Sequence, residues 1–366
     1  MTSASPALMA AVLVAAGPAG AVDFSLGKTG TGTVYGELVP MWLSFDDGAG
    51  SIGQIVDDNN EQSRLGVFLT WPREDANKLT FNFETGLGFF QSNALTMKGL
   101  DGTPWIDWDR ADIRKLELFA KTDAGTFWAG QGNMASYGIA EYDHSGTVPA
   151  GYSDYQATAG GFAFALADGT LSSVKIKDVF VNLGGSRRFR LRYDTPDTQG
   201  LTLSVAAGNN QLTGDPGTYA DATLRYKADL GRLHLGGGIG YTLTQMPGQA
   251  DTRAVMGSLA VLDRTTGLNA AFAGGQQLDE GTFVYAKLGC IAHLVSVGHT
   301  ALAAEYYASN DIGFDGGGRS WGLIALQRFD DLSAELFVGY RHYALTGATQ
   351  DYRDAESLVV GTKWTF

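Results

Sequence analysis

The chain has 366 residues, and its composition excludes several classes of protein. The 26 basic and 39 acidic side chains give a net charge of −13, which argues against a nucleic-acid-binding face. Fifty glycines beside nine prolines, with 11% aromatic residues, fit neither a disordered nor a collagen-like chain. The single cysteine, Cys290, excludes an internal disulfide framework. No linker-like stretch divides the chain, so we expect one domain.

The N-terminus is typical of a secretory signal peptide. An apolar run over residues 7–16 leads to Ala-Gly-Ala at 19–21, which has the form of a cleavage site. No basic residue precedes the run, and a buried N-terminal helix is the alternative. We therefore predict a signal peptide over 1–21 and a single domain over 22–366. No later run reaches the ~20 apolar residues of a membrane helix, so the exported chain is either soluble or enters a membrane as strands.

Apolar and polar residues alternate with a period of two along most of the chain, as in β-strands. Leu79, Phe81 and Phe83, for example, share one face of a predicted strand. Helical periodicity is scarce, so the chain is predicted to be all-β. The alternation predicts about sixteen strands, at roughly 33–45, 63–71, 78–89, 112–121, 125–131, 187–194, 201–208, 217–228, 231–243, 253–263, 267–275, 281–291, 298–308, 318–328, 332–344 and 355–366.

Several features favour a transmembrane antiparallel β-barrel over a soluble sandwich. The predicted strands run to about ten residues, which is close to the length of a tilted membrane strand. Aromatic residues gather near strand ends, and short connections alternate with long ones. An even number of strands places both chain ends on the periplasmic side. Pro40 lies inside the first predicted strand and predicts a bulge there.

The sequence resembles the general-diffusion porins of Gram-negative outer membranes. The resemblance rests on the sixteen-strand meander, the long third extracellular loop at 132–186, and the C-terminal strand ending in GTKWTF. Residues 130–147 also resemble the start of the third loop in one branch of these porins. The resemblance implies a loop that folds into the barrel and a homotrimer in the outer membrane. It also implies passive diffusion of small hydrophilic solutes, and it makes Trp364 and Phe366 the signal that the barrel-assembly machinery reads.

The predicted constriction loop, 132–186, carries acidic residues that include Glu141, Asp143 and Asp154. A loop inside the lumen would turn these carboxylates toward the wall, whereas the alternative is a solvated external loop. The apolar stretch 160–169 could pack against the wall. It could instead be an extra strand, which would change the even strand count.

Three arginines alternate with three apolar residues in the predicted sixth strand, namely Arg188, Arg190 and Arg192 with Phe189, Leu191 and Tyr193. Turning the arginines toward lipid would cost roughly 6–12 kcal/mol, so we expect them to face the lumen. The same argument places four further cations on the basic pore wall: Arg64, Lys115, Lys121 and Arg225. A basic wall opposite an acidic loop would give a transverse field. The alternative is that these cations pair with carboxylates such as Glu84 and Glu117.

The sequence offers no convincing catalytic or metal-binding set. Asp143, His144 and Ser145 are adjacent on a loop and lack a G-x-S-x-G context, so we predict no enzyme activity. No cofactor is expected. Acidic stretches at 46–48, 57–61 and 107–109 lie in predicted external loops, where they are solvated or loosely hold Ca²⁺ or Mg²⁺ that bridges lipopolysaccharide.

These observations favour an outer-membrane porin for small hydrophilic solutes and ions, without nucleic-acid partners. A substrate-selective channel for sugars or anions is the alternative. An outer-membrane enzyme or adhesin is the third hypothesis, and the missing catalytic set disfavours it.

Overall fold

The computed structural model describes residues 20–73, 77–100, 102–347 and 350–366, so the predicted signal peptide lies almost wholly outside the described residues. The strands are β1 (Val22–Leu26), β2 (Gly30–Leu38), β3 (Pro40–Asp46), β4 (Ser51–Asp57), β5 (Arg64–Pro72), β6 (Lys78–Gly86), β7 (Ile113–Thr122), β8 (Gly125–Asn133), β9 (Ala163–Ala165), β10 (Leu171–Lys175), β11 (Arg187–Asp194), β12 (Leu201–Asn209), β13 (Thr218–Leu230), β14 (Leu233–Gln245), β15 (Thr252–Asp263), β16 (Leu268–Gln277), β17 (Thr282–Val295), β18 (Gly298–Asn310), β19 (Gly317–Phe329), β20 (Ala334–Thr346) and β21 (Ala355–Thr365).

The main sheet is a closed antiparallel barrel of sixteen wall strands. β2 and β3 are two halves of one wall strand, and β4 and β5 are two halves of the next. β1 and β21 lie one below the other along the same edge of the β2–β3 strand. The predicted fold class, an all-β antiparallel barrel of about sixteen strands, is confirmed.

The first wall strand breaks at Val39, next to the proline for which a bulge was predicted. Pro40 has no backbone N–H, so it cannot donate to a neighbouring strand. The backbone of Val39 bonds outside the ladder instead: its N–H donates to Ser63 Oγ (2.8 Å), and its carbonyl accepts from Asp58 N (3.0 Å). Below this break the strand pairs with β5 on one edge and with β1 and the end of β21 on the other. Above it the strand pairs with β4 and β21.

The last residue closes the wall. Phe366 and Gly36 exchange two backbone hydrogen bonds, with N–O distances of 2.7 and 3.0 Å. A Cβ at position 36 would lie 2.6 Å from the Phe366 ring, so only glycine leaves room for that ring. The first and last wall strands are therefore joined at the very end of the chain.

The wall has an apolar outer face and a largely polar inner face. Phe189 is 51% exposed and Leu191 is 70% exposed, whereas Arg190 between them is buried. The same alternation leaves apolar side chains exposed around the barrel, including Leu118, Leu203, Ile239, Phe272, Leu288 and Leu323. An apolar outer band of this kind is what strands in a lipid bilayer present. No helix in the described part of the chain is long and apolar enough to cross a membrane.

Residues 134–186, here called the long connection, join β8 to β11, the fifth and sixth wall strands. They contain a 3-10 turn (Val148–Ala150), the short helices α1 (Tyr155–Ala159) and α2 (Ile176–Val179), and the β9–β10 hairpin. β9, in the apolar stretch 160–169, pairs with β10 and not with the barrel, so it leaves the wall count unchanged.

Aromatic residues of the long connection pack against inward-facing aromatics of the wall. Phe162 stacks on Phe45 with ring centroids 4.0 Å apart, and Tyr155 packs on Tyr307 at 4.9 Å. All four side chains are fully buried in one cluster with other wall and connection residues. This burial holds the long connection against the β3 and β18 side of the barrel.

Candidate functional site

The long connection is hydrogen-bonded to the inner face of the wall. Ser258 on β15 donates to Ile139 O (2.7 Å) and accepts from Tyr142 N (3.0 Å). On β18, Tyr307 donates to Val181 O (2.9 Å) and Ser309 to Val179 O (2.7 Å). These bonds satisfy three backbone carbonyls and one backbone N–H that a segment without ladder partners would otherwise leave unpaired.

Two buried cations of the wall also hold the long connection. Lys287 on β17 pairs with Asp143 (2.8 Å) and donates to Gly151 O (2.8 Å). Arg341 on β20 pairs with Glu305 (2.6 Å) and lies over the Tyr155 ring at 3.9 Å. Sequence reasoning missed both, although each is a charge at an inward position of a largely apolar strand.

Asp143, one of the predicted constriction-loop acids, is neutralised by this contact. Its side chain is 3% exposed, and that of Lys287 is fully buried. Burial acts to raise the pKa of Asp143, but the Lys287 ammonium together with hydrogen bonds from Ser145 holds the pKa below the usual range. Asp143 therefore stays ionised, and its charge is neutralised by the ion pair with Lys287. Ser145 bonds to Thr147, so the adjacent Asp143, His144 and Ser145 form no catalytic triad.

The arginine ladder of β11 faces inward, but its central member is paired. Arg190 is buried, forms an ion pair with Glu117, and donates to Gly130 O (2.9 Å). Its partners across the two neighbouring strands are Gly130 and Gly208, and Gly132 leaves room for the guanidinium, since a Cβ there would lie 2.9 Å from Arg190 Nη2. For Arg190 the structure matches the alternative of simple charge pairing.

The other predicted ladder residues each hold a neighbouring group. Arg192 pairs with Asp194 (2.8 Å) and donates to Met134 O (3.0 Å), where the long connection begins. The Arg188 guanidinium lies 3.9 Å from the Tyr219 ring centroid. Their pore-lining role stays a prediction.

The remaining predicted cations lie along the same inner face. Arg225 donates to Ala135 O and Tyr137 O, both at 2.8 Å. Arg64 pairs with Glu37, and Lys115 with Glu84 at 3.0 Å. Lys121 is exposed near the end of β7. Most of these positive charges are therefore engaged by carboxylates or carbonyls.

A polar cavity of about 300 Å³ lies between the long connection and the wall. The six side chains that matter most for its chemistry are Gln62, Arg114 and Arg187 with Glu141, Asp154 and Asn182. The first three come from the wall strands and the β4–β5 link, and the last three from the long connection. Two carboxylates and two guanidiniums thus share one cavity, which we call the polar cavity.

The opposite charges in the polar cavity do not pair with one another. No ion pair within 4.0 Å among the described residues joins Glu141 or Asp154 to either guanidinium. Glu141 accepts from Asn182 Nδ2 (2.6 Å) instead, and Arg187 donates to the Tyr137 hydroxyl (2.8 Å). Arg114 pairs with Glu84 (2.7 Å) through Nε.

The two carboxyls of the polar cavity ionise less readily than ordinary acids. Burial, together with the neighbouring Asp154 carboxylate, raises the pKa of Glu141 to about 7. Burial also raises the pKa of Asp154. The charge of this side of the cavity therefore changes near neutral pH.

The structure brings together two of the three predicted acids, but with cations that were not predicted. Arg187 is the first residue of β11, and strict alternation would place it on the face opposite to Arg188. Arg114 is the extra residue of a bulge, where the β6–β7 register shifts between Glu84 and Thr85. Alternation fails at a strand end and at a bulge, so a period-two argument misses both.

The acidic stretch 57–61 was expected in an external loop, and that placement is wrong. Asp57 ends β4 and Asp58 follows in the link to β5, with exposures of 1% and 0%. Asp47 and Asp109 instead accept backbone N–H groups in a turn and at a 3-10 helix start. Within the described ranges, no group of three or more His, Cys, Asp or Glu side chains is arranged to hold a metal ion.

Solved structures share this architecture over nearly the whole chain. An anion-selective porin from Comamonas acidovorans matches with a TM-score of 0.61 at 14% identity, over 92% of this chain and 100% of its own. Salmonella typhi OmpF in complex with daunomycin matches with 0.59 at 13%, over 94% and 100%. The trimer form of Vibrio cholerae OmpT matches with 0.57 at 14%, over 93% and 100%.

The chain has the fold of the outer-membrane porins. No protein-family model and no curated protein matches the sequence. In this porin fold the longest connection follows the fifth wall strand, at the position predicted from the sequence. Trp364 and Phe366 lie on and just after β21, at the closing edge of the wall, and their role as an assembly signal stays a prediction.

Proposed function

We propose that the chain is a porin of the Gram-negative outer membrane. It forms a water-filled channel for passive diffusion of small hydrophilic solutes and ions, and it has no enzyme activity. The observation that carries this proposal is the closed sixteen-strand wall, apolar outside and polar inside, with a charged cavity between the wall and the long connection. A barrel of this size is wide enough to hold an aqueous channel.

In this proposal the long connection narrows the channel, and the polar cavity belongs to the constriction. Glu141 and Asp154 on one side and Arg114 and Arg187 on the other give a transverse field. Such a field orients dipolar solutes and makes the passage of apolar ones less favourable. The effective basic wall then consists of Arg187, which bonds to a neutral hydroxyl, more than of Arg114 and Arg190, which pair with Glu84 and Glu117.

We further propose that three copies assemble as a homotrimer among outer-membrane lipid and lipopolysaccharide, after folding by the barrel-assembly machinery. The Vibrio cholerae OmpT structure with this fold is a trimer form, which supports the proposal. Native mass spectrometry in mild detergent is expected to give three chains per particle, and a monomer would contradict this part.

Conductance in a planar lipid bilayer tests the channel. The purified protein is expected to insert with large, ohmic current steps in multiples of three. Absence of conductance from a correctly folded barrel would refute the proposed function. Currents that saturate with one solute would instead favour the second candidate, a substrate-selective channel. The charges of Arg187, Glu141 and Asp154, which have no ion-pair partner among the described residues, support that candidate.

A further inference from the structure

We propose that the polar cavity is a binding subsite for small zwitterionic solutes, of the class that carries one ammonium and one carboxylate on a short chain. This inference rests on the proposed channel function and adds a preferred substrate class to it. Amino acids and very short peptides belong to this class.

The first observation is that the charges of the cavity are held apart. Glu141 accepts a hydrogen bond from Asn182. Arg187 donates a hydrogen bond to the Tyr137 hydroxyl (2.8 Å), and its guanidinium lies 5.1 Å from the centroid of the Tyr137 ring. Each charge is therefore fixed by its own neighbour and keeps capacity for a second partner. A solute that carries an ammonium and a carboxylate can pair with the acidic side and the basic side of the cavity at once.

The second observation is a pair of buried polar atoms that lack partners. Within the described residues, Asp154 Oδ1 and Arg187 Nε are buried and have no hydrogen-bond partner. Buried polar atoms in native proteins nearly always have one, and both of these residues line the polar cavity. One is an acceptor and the other a donor. A small shift of each side chain would expose them to the cavity, where they match a solute ammonium and a solute carboxylate respectively.

The third observation is the size and chemistry of the lining. A volume of about 300 Å³ accommodates a small solute, at the lower end of the range for ligand sites. The side chains of Gln62 and Asn182 can serve further polar groups. A simple cation or anion satisfies only one side, and an uncharged amide satisfies neither charge. We therefore expect zwitterions to bind more tightly than either.

The test is block of the ionic current by β-alanine, with propionamide as the uncharged analogue of similar size. At pH 8, β-alanine is expected to reduce the single-channel current in a saturable way, and propionamide is not. Arg187→Gln and Asp154→Asn each remove one charged hydrogen bond, so each is expected to raise the half-blocking concentration ~10-fold or more.

Matched control variants remove the same charges far from the cavity. Arg232→Gln and Asp330→Asn alter side chains that are 65% and 57% exposed, and they are expected to keep the wild-type block. If Asp154→Asn does not fold, Glu141→Gln replaces it on the same side of the cavity.

The outcomes separate this inference from the proposed function. A conducting channel that β-alanine and propionamide affect equally overturns the zwitterion subsite but leaves the porin proposal standing. Unchanged block in Arg187→Gln also overturns it. A folded barrel without conductance refutes the channel function itself.

Discussion

The charge that a residue contributes to this channel depends on whether that residue is paired, and not on how many charged residues lie near it. Arg190 is the centre of a conspicuous arginine ladder, yet Glu117 and two backbone carbonyls occupy its guanidinium. Arg187, at the edge of the same cluster, bonds to a neutral hydroxyl and lines the polar cavity. We therefore expect Arg187 to contribute more to ion selectivity.

Replacing Arg187 by Gln is expected to shift the channel toward cations. A unit charge about 10 Å from a permeating ion in water is worth about 0.4 kcal/mol. Its removal favours cations and disfavours anions by that amount, so the cation-to-anion permeability ratio should rise roughly fourfold. The reversal potential in a KCl gradient measures this ratio. The double variant Arg190→Gln/Glu117→Gln removes a neutral pair and is expected to leave the ratio unchanged. An equal shift in both variants would contradict this assignment.

Ion selectivity is also expected to depend on pH near neutrality. The pKa of Glu141 is raised to about 7 by burial and by Asp154, so its carboxylate is charged above that pH and protonated below it. Cation preference should therefore fall as the pH is lowered from 8 to 6. The two carboxyls titrate as a pair, which broadens the transition. Reversal potentials across this range provide the measurement, and Glu141→Gln should flatten the curve. A wild-type curve without this step would refute the prediction.

Lys287→Met is expected to destabilise the folded barrel by about 3–5 kcal/mol, because it leaves the buried Asp143 carboxylate without its cation. Urea unfolding in detergent micelles measures the free energy. The double variant Lys287→Met/Asp143→Leu replaces the pair by apolar groups and should recover most of the loss. Wild-type stability of the single variant would show that the pair is not needed.

At the level of elements, alternation predicted the long wall strands because each has one face toward lipid. β1 and β4 were missed, since five and seven residues give too few alternations to detect. β1 pairs with a wall strand that is interrupted at Val39, and β4 belongs to one that is interrupted before β5. Those interruptions come with tertiary contacts such as Val39 N–H to Ser63.

The candidate site was only partly predictable, for a related reason. Glu141 and Asp154 were recognised because they lie in the longest connection. Arg114 and Arg187 could not be assigned, because a bulge and a strand end set their directions. The pairing of Asp143 with Lys287 joins residues far apart in sequence, and no local pattern reports it.

Gly130→Ala is expected to destabilise the β7–β8 pair. Gly130 has φ +113°, and a Cβ there would lie 2.3 Å from Leu116 O. Strain and backbone displacement should cost about 1–3 kcal/mol. Gly50→Ala is the control, because a Cβ at Gly50 meets nothing within 4 Å and its φ is ordinary. Urea unfolding measures both variants, and equal stabilities would contradict the argument.

On the scale of the whole molecule, the alternating sequence places apolar side chains toward lipid and polar side chains toward water. Apolar residues such as Leu191 form the outer band, while charges gather inside and at the ends. The net charge of −13 therefore does not set the sign of the channel, because many acidic groups are paired within the wall or lie outside the polar cavity.

Phe366 variants separate closure of the wall from recognition by the assembly machinery. Deleting Phe366 removes the two backbone bonds to Gly36, so refolding into lipid vesicles should slow. Phe366→Leu keeps those bonds and should refold in vesicles like the wild type, but it should give less barrel in cells if the aromatic ring is read. The heat-modifiable shift on SDS gels measures folding. Equal refolding rates of all three chains would contradict the closure argument.

The contact between Phe366 and Gly36 also bears on when the barrel can close during biogenesis. The strands that join there, β21 with β2 and β3, are far apart in sequence, so the ring cannot close before β21 has been made. Closing a loop of that length costs about 3 kcal/mol more in chain entropy than closing a ten-residue hairpin. A chain that stopped before β21 would lack the strand that pairs with both β20 and β3, and would thus be an open sheet with two bare edges, exposed to degradation or aggregation.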